Sequence, residues 1–99
     1  MPTDKRIAIE IFKQLGGGHF KAMVGAHQLV ALPDGLQLKF KGSRKANCLV
    51  VKLNGLDLYD LELWKITKKF NKKMDQGSNI YFDGLQDWFT NATGLNTHL

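Results

Sequence analysis

Asp60 and Glu62 stand two apart in Tyr59-Asp60-Leu61-Glu62-Leu63-Trp64-Lys65. Paired strand carboxylates with a nearby lysine are the groups with which metal-dependent nucleases hold a divalent ion and orient water. The spacing opposes that chemistry here. Alternate strand residues share a face, so Asp60 and Glu62 point together, whereas Lys65, three beyond Glu62, points the other way. A lysine on the carboxylate face would have to stand at position 64, which is tryptophan. The pair reads instead as a solvated acidic face, with Lys52 diagonally opposite Asp60 as a modest cross-strand charge pair.

Other reactive residue types also lack the partners that chemistry requires. Gly16-Gly17-Gly18 follows a helical pattern and has no Gly-Lys-Ser/Thr ending, so it reads as a helix stop and flexible turn rather than a phosphate loop. His19, His27 and His98 match no ligand spacing, and no cysteine or close acid completes a metal site. Ser43 and Ser78 have no Gly-x-Ser-x-Gly surroundings and no recognisable His and acid partners. Cys48 is the only cysteine and lies in the apolar run Cys48-Leu49-Val50-Val51, which makes it a buried structural thiol and excludes an intramolecular disulfide. The chain is therefore read as non-enzymatic, with no catalytic residue, metal ligand or cofactor assigned.

The basic residues carry a stronger signal. Lys39–Lys45 and Lys65–Lys73 hold nine of the fourteen Lys and Arg residues, in a chain of formal net charge +5. Such a surface suits anionic partners. Lys39, Lys41, Arg44, Lys45, Lys68, Lys69, Lys72 and Lys73 are the candidate phosphate contacts, with Trp64 and Phe70 as aromatic surfaces for an unpaired base. With seven lysines and one arginine, this set favours charge attraction over bidentate base reading, so binding is expected to be salt-sensitive and weakly sequence-specific.

The elements that would position these residues follow from apolar periodicity. Ile7, Ala8, Ile11, Phe12 and Leu15 predict an amphipathic helix over about residues 4–15, with Asp4 at its positive end and Gly16 as its C-cap. Five β-like runs follow: 20–24, 28–32, 36–41, 47–53 and 58–67. Pro33-Asp34-Gly35 suits a three-residue hairpin that sets Leu32 against Leu36 and Val30 against Leu38. Asn54-Gly55-Leu56 closes the next, setting Val51 against Tyr59 and Leu49 against Leu61. A final helix between Ile80 and Thr93 presents Tyr81, Leu85, Trp88 and Phe89, with capping-box spacing at Asp83 and Gln86 and a stop at Gly94; Ser78 is an earlier alternative start. The expectation is an α+β fold in one domain over residues 1–99, with a mainly antiparallel meander of four to five strands flanked by an N-terminal and a C-terminal helix.

A meander reverses at each turn, so loops 41–46 and 68–77 share one end with His27, while the triple glycine and the Pro33 and Asn54 turns lie at the other. The two basic stretches then form one patch. On the second sheet face Leu29, Cys48, Val50, Trp64 and Ile66 mix with Lys39, Lys52, Asp60 and Glu62, which is more apolar than a fully solvated face. A covering second helix, a second copy of the chain or a ligand would each account for it. No apolar run approaches the roughly 18 residues of a membrane span, and the N-terminus has no secretory h-region or cleavage signature.

Three stretches carry a resemblance. Leu15-Gly16-Gly17-Gly18-His19-Phe20-Lys21-Ala22-Met23-Val24-Gly25-Ala26, then Leu53-Asn54 with Asp57 and Tyr59-Asp60-Leu61-Glu62, then Leu85-Gln86-Asp87-Trp88-Phe89-Thr90 with Thr93-Gly94-Leu95 span most of the chain. They resemble a family of small, mostly uncharacterised bacteriophage and prophage proteins with the pattern LGG-x-x-F-x-x-M-x-G-A, L-N-x-x-D-x-Y-D-x-E and L-Q-x-x-F-T-x-x-T-G-L. The resemblance implies a mobile-element origin and the cytoplasm of a bacterial host, and it brings no catalytic residue. The lysine density of Lys68–Lys73 departs from the family pattern.

The expected function is nucleic-acid binding through the lysine-rich sheet end. The alternative is an effector, for example against host defence, that binds and blocks a bacterial host protein through the apolar second face. A homodimer is compatible with either, and no membrane role is expected.

Overall fold

A computed structural model describes residues 5–43 and 45–95. Asp4, Arg44 and His98 lie outside the described residues, so the roles considered for them are not addressed by the fold.

Helix α1 (Arg6–Leu15) buries Ala8, Ile11 and Leu15, the stripe that its three- and four-residue spacing predicts. Gly16, at φ 120°, ends it, and its backbone N–H turns back to the carbonyls of Lys13 and Phe12. The chain then enters a second helix, α2 (Gly17–Val24), in place of the strand expected at 20–24. Phe20 and Val24 are buried and Ala22 is exposed. Residues four apart share a helix face as well as a strand face, so the run fits both periods. The left-handed C-cap at Gly25, φ 64°, whose N–H reaches the Lys21 carbonyl, belongs to the helix.

The strands are β1 (His27–Leu32), β2 (Gly35–Lys39), β3 (Cys48–Leu53), β4 (Tyr59–Ile66) and β5 (Asn71–Ile80), paired antiparallel in sequence order. The meander and the α+β class are as expected, but the five strands are not the expected five. β5 replaces most of the 68–77 loop and includes Ser78. Its apolar residues, Met74 and Ile80, are six apart, and an edge strand rich in Lys, Asp, Asn and Gly has no hydrophobic alternation to reveal it.

Two hairpins differ in register from the sequence reading. Leu32 pairs with Gly35 and Ala31 with Leu36, leaving a two-residue turn at Pro33-Asp34. Gly35 permits this approach, because a Cβ there would stand 2.0 Å from the Val51 carbonyl oxygen. A register shift between His27 and Val30, with Gln28 at φ 50°, then turns Leu29 toward α1 instead of the second face. Across β3 and β4, Leu53 pairs with Tyr59, Val51 with Leu61 and Leu49 with Leu63, two residues from the expected partners but on the expected face. The intervening turn is longer than three residues: the Asn54 N–H donates to the Leu58 carbonyl, and its Oδ1 accepts from the N–H groups of Leu56 and Leu58.

After β5 a 3-10 turn (Phe82–Gly84) leads into α3 (Leu85–Thr93). Leu85 and Phe89 are buried, but Tyr81 precedes the helix and is exposed. Asp83 makes no side-chain cap with Gln86, whose Nε2 donates to the Leu15 carbonyl at 2.9 Å and ties α3 to the end of α1. Gly94, at φ 79°, ends α3 as expected. All three helices pack on one sheet face. Edge-on aromatic contacts run Phe12–Phe20, Phe20–Phe89 and Phe89–Phe40, linking α1, α2, α3 and the chain beyond β2 over Leu36, Leu38, Leu49, Val51, Leu61 and Leu63. Among the described residues no helix lies on the second face, so α3 is not its cover.

Candidate nucleic-acid interface

The meander brings the β2–β3 and β4–β5 connections to one end. The register His27↔Lys39↔Cys48↔Trp64↔Lys73 crosses all five strands there. Asn47 ties the first connection to the end of β4: its N–H donates to the Trp64 carbonyl, its Nδ2 to the Ile66 carbonyl, and its Oδ1 accepts from the Ile66 N–H, all within 2.9 Å. Buried Phe40 and Ala46 anchor the first connection. In the second, the Thr67 N–H donates to the Phe70 carbonyl while its Oγ1 accepts from the N–H groups of Lys69 and Phe70. This closed turn holds Lys68, Lys69 and Phe70 outward, with Phe70 54% exposed.

Lys39, Lys41, Lys45, Lys68, Lys69, Lys72 and Lys73 are thus gathered at or beside one sheet end. Lys41 donates its backbone N–H to the Val24 carbonyl, and its stem lies against Gly25. Two of the seven are in ion pairs: Lys45 with Asp75 at 3.4 Å and Lys73 with Glu62 at 2.9 Å. Lys39, Lys41, Lys68, Lys69 and Lys72 form no ion pair among the described residues. Lys65, outside the predicted contact set, pairs directly with Lys72. Like charges directly opposite on neighbouring strands cost stability, so this end concentrates positive charge against the preference of the sheet alone. The sequence also gave no role to Asn47 or Thr67; as turn-forming residues at strand ends they were legible only as local punctuation.

The two aromatic candidates are not equivalent. Trp64 is half-buried on the open face; its Nε1 donates to Glu62 and the Lys73 ammonium lies 5.6 Å from its ring centroid. Lys73 also donates to Gln76. Phe70 has no such cover.

The acidic pair is likewise occupied. Asp60 and Glu62 lie on the open face and Lys65 does not, as the alternation requires. Lys52 is directly opposite Asp60 rather than diagonal to it. The lysine that Trp64 displaces from β4 is supplied across the sheet by Lys73, but as an ion pair that holds the Glu62 carboxyl below the usual carboxylate range. Asp60 Oδ1 accepts from Asn54 Nδ2 and the Asn79 N–H. No group of three or more His, Cys, Asp or Glu that could hold a metal occurs among the described residues. Burial pushes the Cys48 thiol up, against the opposing pull of Lys39, which suits an unreactive thiol. His27 Nδ1 is 2.9 Å from the Gly25 carbonyl in a local turn contact.

The fold defines the class: an α+β protein whose helices cover one face of a five-stranded antiparallel sheet. No family model, curated protein or solved structure matches the chain. No helix among the described residues is long and apolar enough to cross a membrane.

Proposed function

We propose that this is a non-enzymatic binding protein that engages nucleic acid through the lysine-rich end of its sheet, in the cytoplasm of a bacterial host of a phage or related element. The observation that carries this reading is the convergence of the 40–47 and 67–70 connections at one sheet end, the first tied to β4 through Asn47, with five lysines in no ion pair among the described residues and Lys65 set against Lys72. Compact ammonium groups on flexible stems suit phosphates better than base edges. Gel shifts with single-stranded DNA, duplex DNA and RNA at low and moderate salt test it. A shift that weakens steeply with salt is expected, and no shift on any of the three overturns the reading.

The open face favours a second reading, an effector that binds a host protein. Leu32, Cys48, Val50, Trp64 and Ile66 line a shallow depression there that no helix covers. A chain that shifts no nucleic acid, yet retains from nuclease-treated host lysate a protein that Val50→Lys releases, selects this reading over the first.

A further inference from the structure

The geometry points to an unpaired nucleic-acid strand as the partner of the basic end, with one base stacked on Phe70 and the flanking phosphates on Lys68, Lys69 and Lys72; this rests on the nucleic-acid reading above. An exposed ring at a hairpin tip offers a flat apolar face to a partner. Phe70 is 54% exposed between cationic neighbours, and the Thr67 turn fixes its backbone. An aromatic surface held rigid beside lysines is the combination that single strands use, because every base has a face to stack and every nucleotide a phosphate. Trp64 does not serve this role in the observed arrangement, since Lys73 lies over its ring and Glu62 holds its indole N–H. Phe70 is therefore the stacking surface, and Trp64 belongs to the ion-pair network beside it.

Duplex reading fits this end less well. A two-stranded ribbon can enter the major groove, which is about 8.5 Å deep. Beyond the point where Asn47 ties β4 to the neighbouring connection, the backbone of the turn 67–70 projects about 7 Å at the rise of an extended chain, so base edges would be met by the lysine side chains of its tip. The fork-shaped donors of base reading are also scarce: Arg6 and Arg44 are the chain's only arginines, and Arg6 lies with Leu53 and Tyr59 toward the opposite end of the sheet.

Fluorescence anisotropy with a labelled oligothymidylate and a labelled duplex of equal length, using the full chain and its Phe70→Ala and Phe70→Trp variants, tests the inference. The single strand should bind more tightly than the duplex. Phe70→Ala should weaken single-strand binding about five-fold or more, the lower end of a lost stacking contact, and leave duplex binding within about two-fold. Phe70→Trp should restore affinity, and its added emission should be quenched by the oligonucleotide. Phe70 is exposed, so Phe70→Ala leaves the core intact, and matching thermal melts verify this. Tighter binding to duplex, or wild-type affinity of Phe70→Ala for the single strand, overturns the inference while leaving a lysine-based interface standing. Binding to neither probe, with no gel shift of RNA, overturns both.

Discussion

At the residue scale, the features that decide the geometry of the basic end are small and polar. Asn47 bonds β4 through both ends of its side-chain amide, and Thr67 closes the hairpin tip. Their value lies in holding lysines that would otherwise move independently. Gly35 has a comparable role at the opposite end. Its missing Cβ lets β2 lie against β3, since a Cβ there would run into the Val51 carbonyl oxygen, a backbone atom that cannot rotate aside. Gly35→Ala is expected to destabilise the fold by about 1–3 kcal/mol, the usual range for forcing an atom into a packed site. Urea denaturation measures it, and unchanged stability would mean that the β2–β3 approach is looser than described. The sequence places Gly35 in the hairpin turn, but it is a strand residue whose missing Cβ permits a close approach.

At the scale of elements, legibility followed the hydrophobic pattern. α1, β3 and β4 each bury one periodic face, so their type and facing could be read directly, and the facing survived a two-residue error in the β3–β4 pairing. α2 was misread because Phe20 and Val24 satisfy both periods. β5 was missed because an edge strand supplies little to the core: Met74 and Ile80 pack there, while Lys72, Lys73 and Gln76 are exposed. The placement of the candidate site was recoverable because it depends on strand direction, which the meander preserved when one expected strand became a helix and an unexpected one appeared. The distinction between Phe70 and Trp64 was not recoverable, since it depends on Lys73, which the sequence placed in a loop. α3 reaches this end through Phe89, whose ring meets Phe20 at 5.3 Å and Phe40 at 5.1 Å between centroids. Phe89→Ala should cost about 3–5 kcal/mol in urea denaturation. It should also raise amide hydrogen exchange at Phe40 and Asn47, because the lost ring holds the start of the 40–47 connection. Global destabilisation without that local change would separate α3 from the support of the basic end.

At the scale of the whole molecule, function is assigned to an asymmetry. Helices close one sheet face, the other is open, and cationic side chains collect where two connections meet. Net charge alone would attract polyanions from any side, so the central claim is one of location. Oligonucleotide affinity should be compared between Lys68→Glu/Lys69→Glu/Lys72→Glu and a charge-matched control, Lys5→Glu/Lys13→Glu/Lys52→Glu, which alters exposed lysines just before α1, on α1 and on β3. The slope of log affinity against log salt should be measured for both and for the wild type. The account predicts that the first variant loses binding and flattens the slope by about 2, as expected for three lost phosphate contacts to a single strand, while the control changes far less. Equal losses in the two variants would contradict it, because binding would then follow the charge of the whole chain and not the end of its sheet.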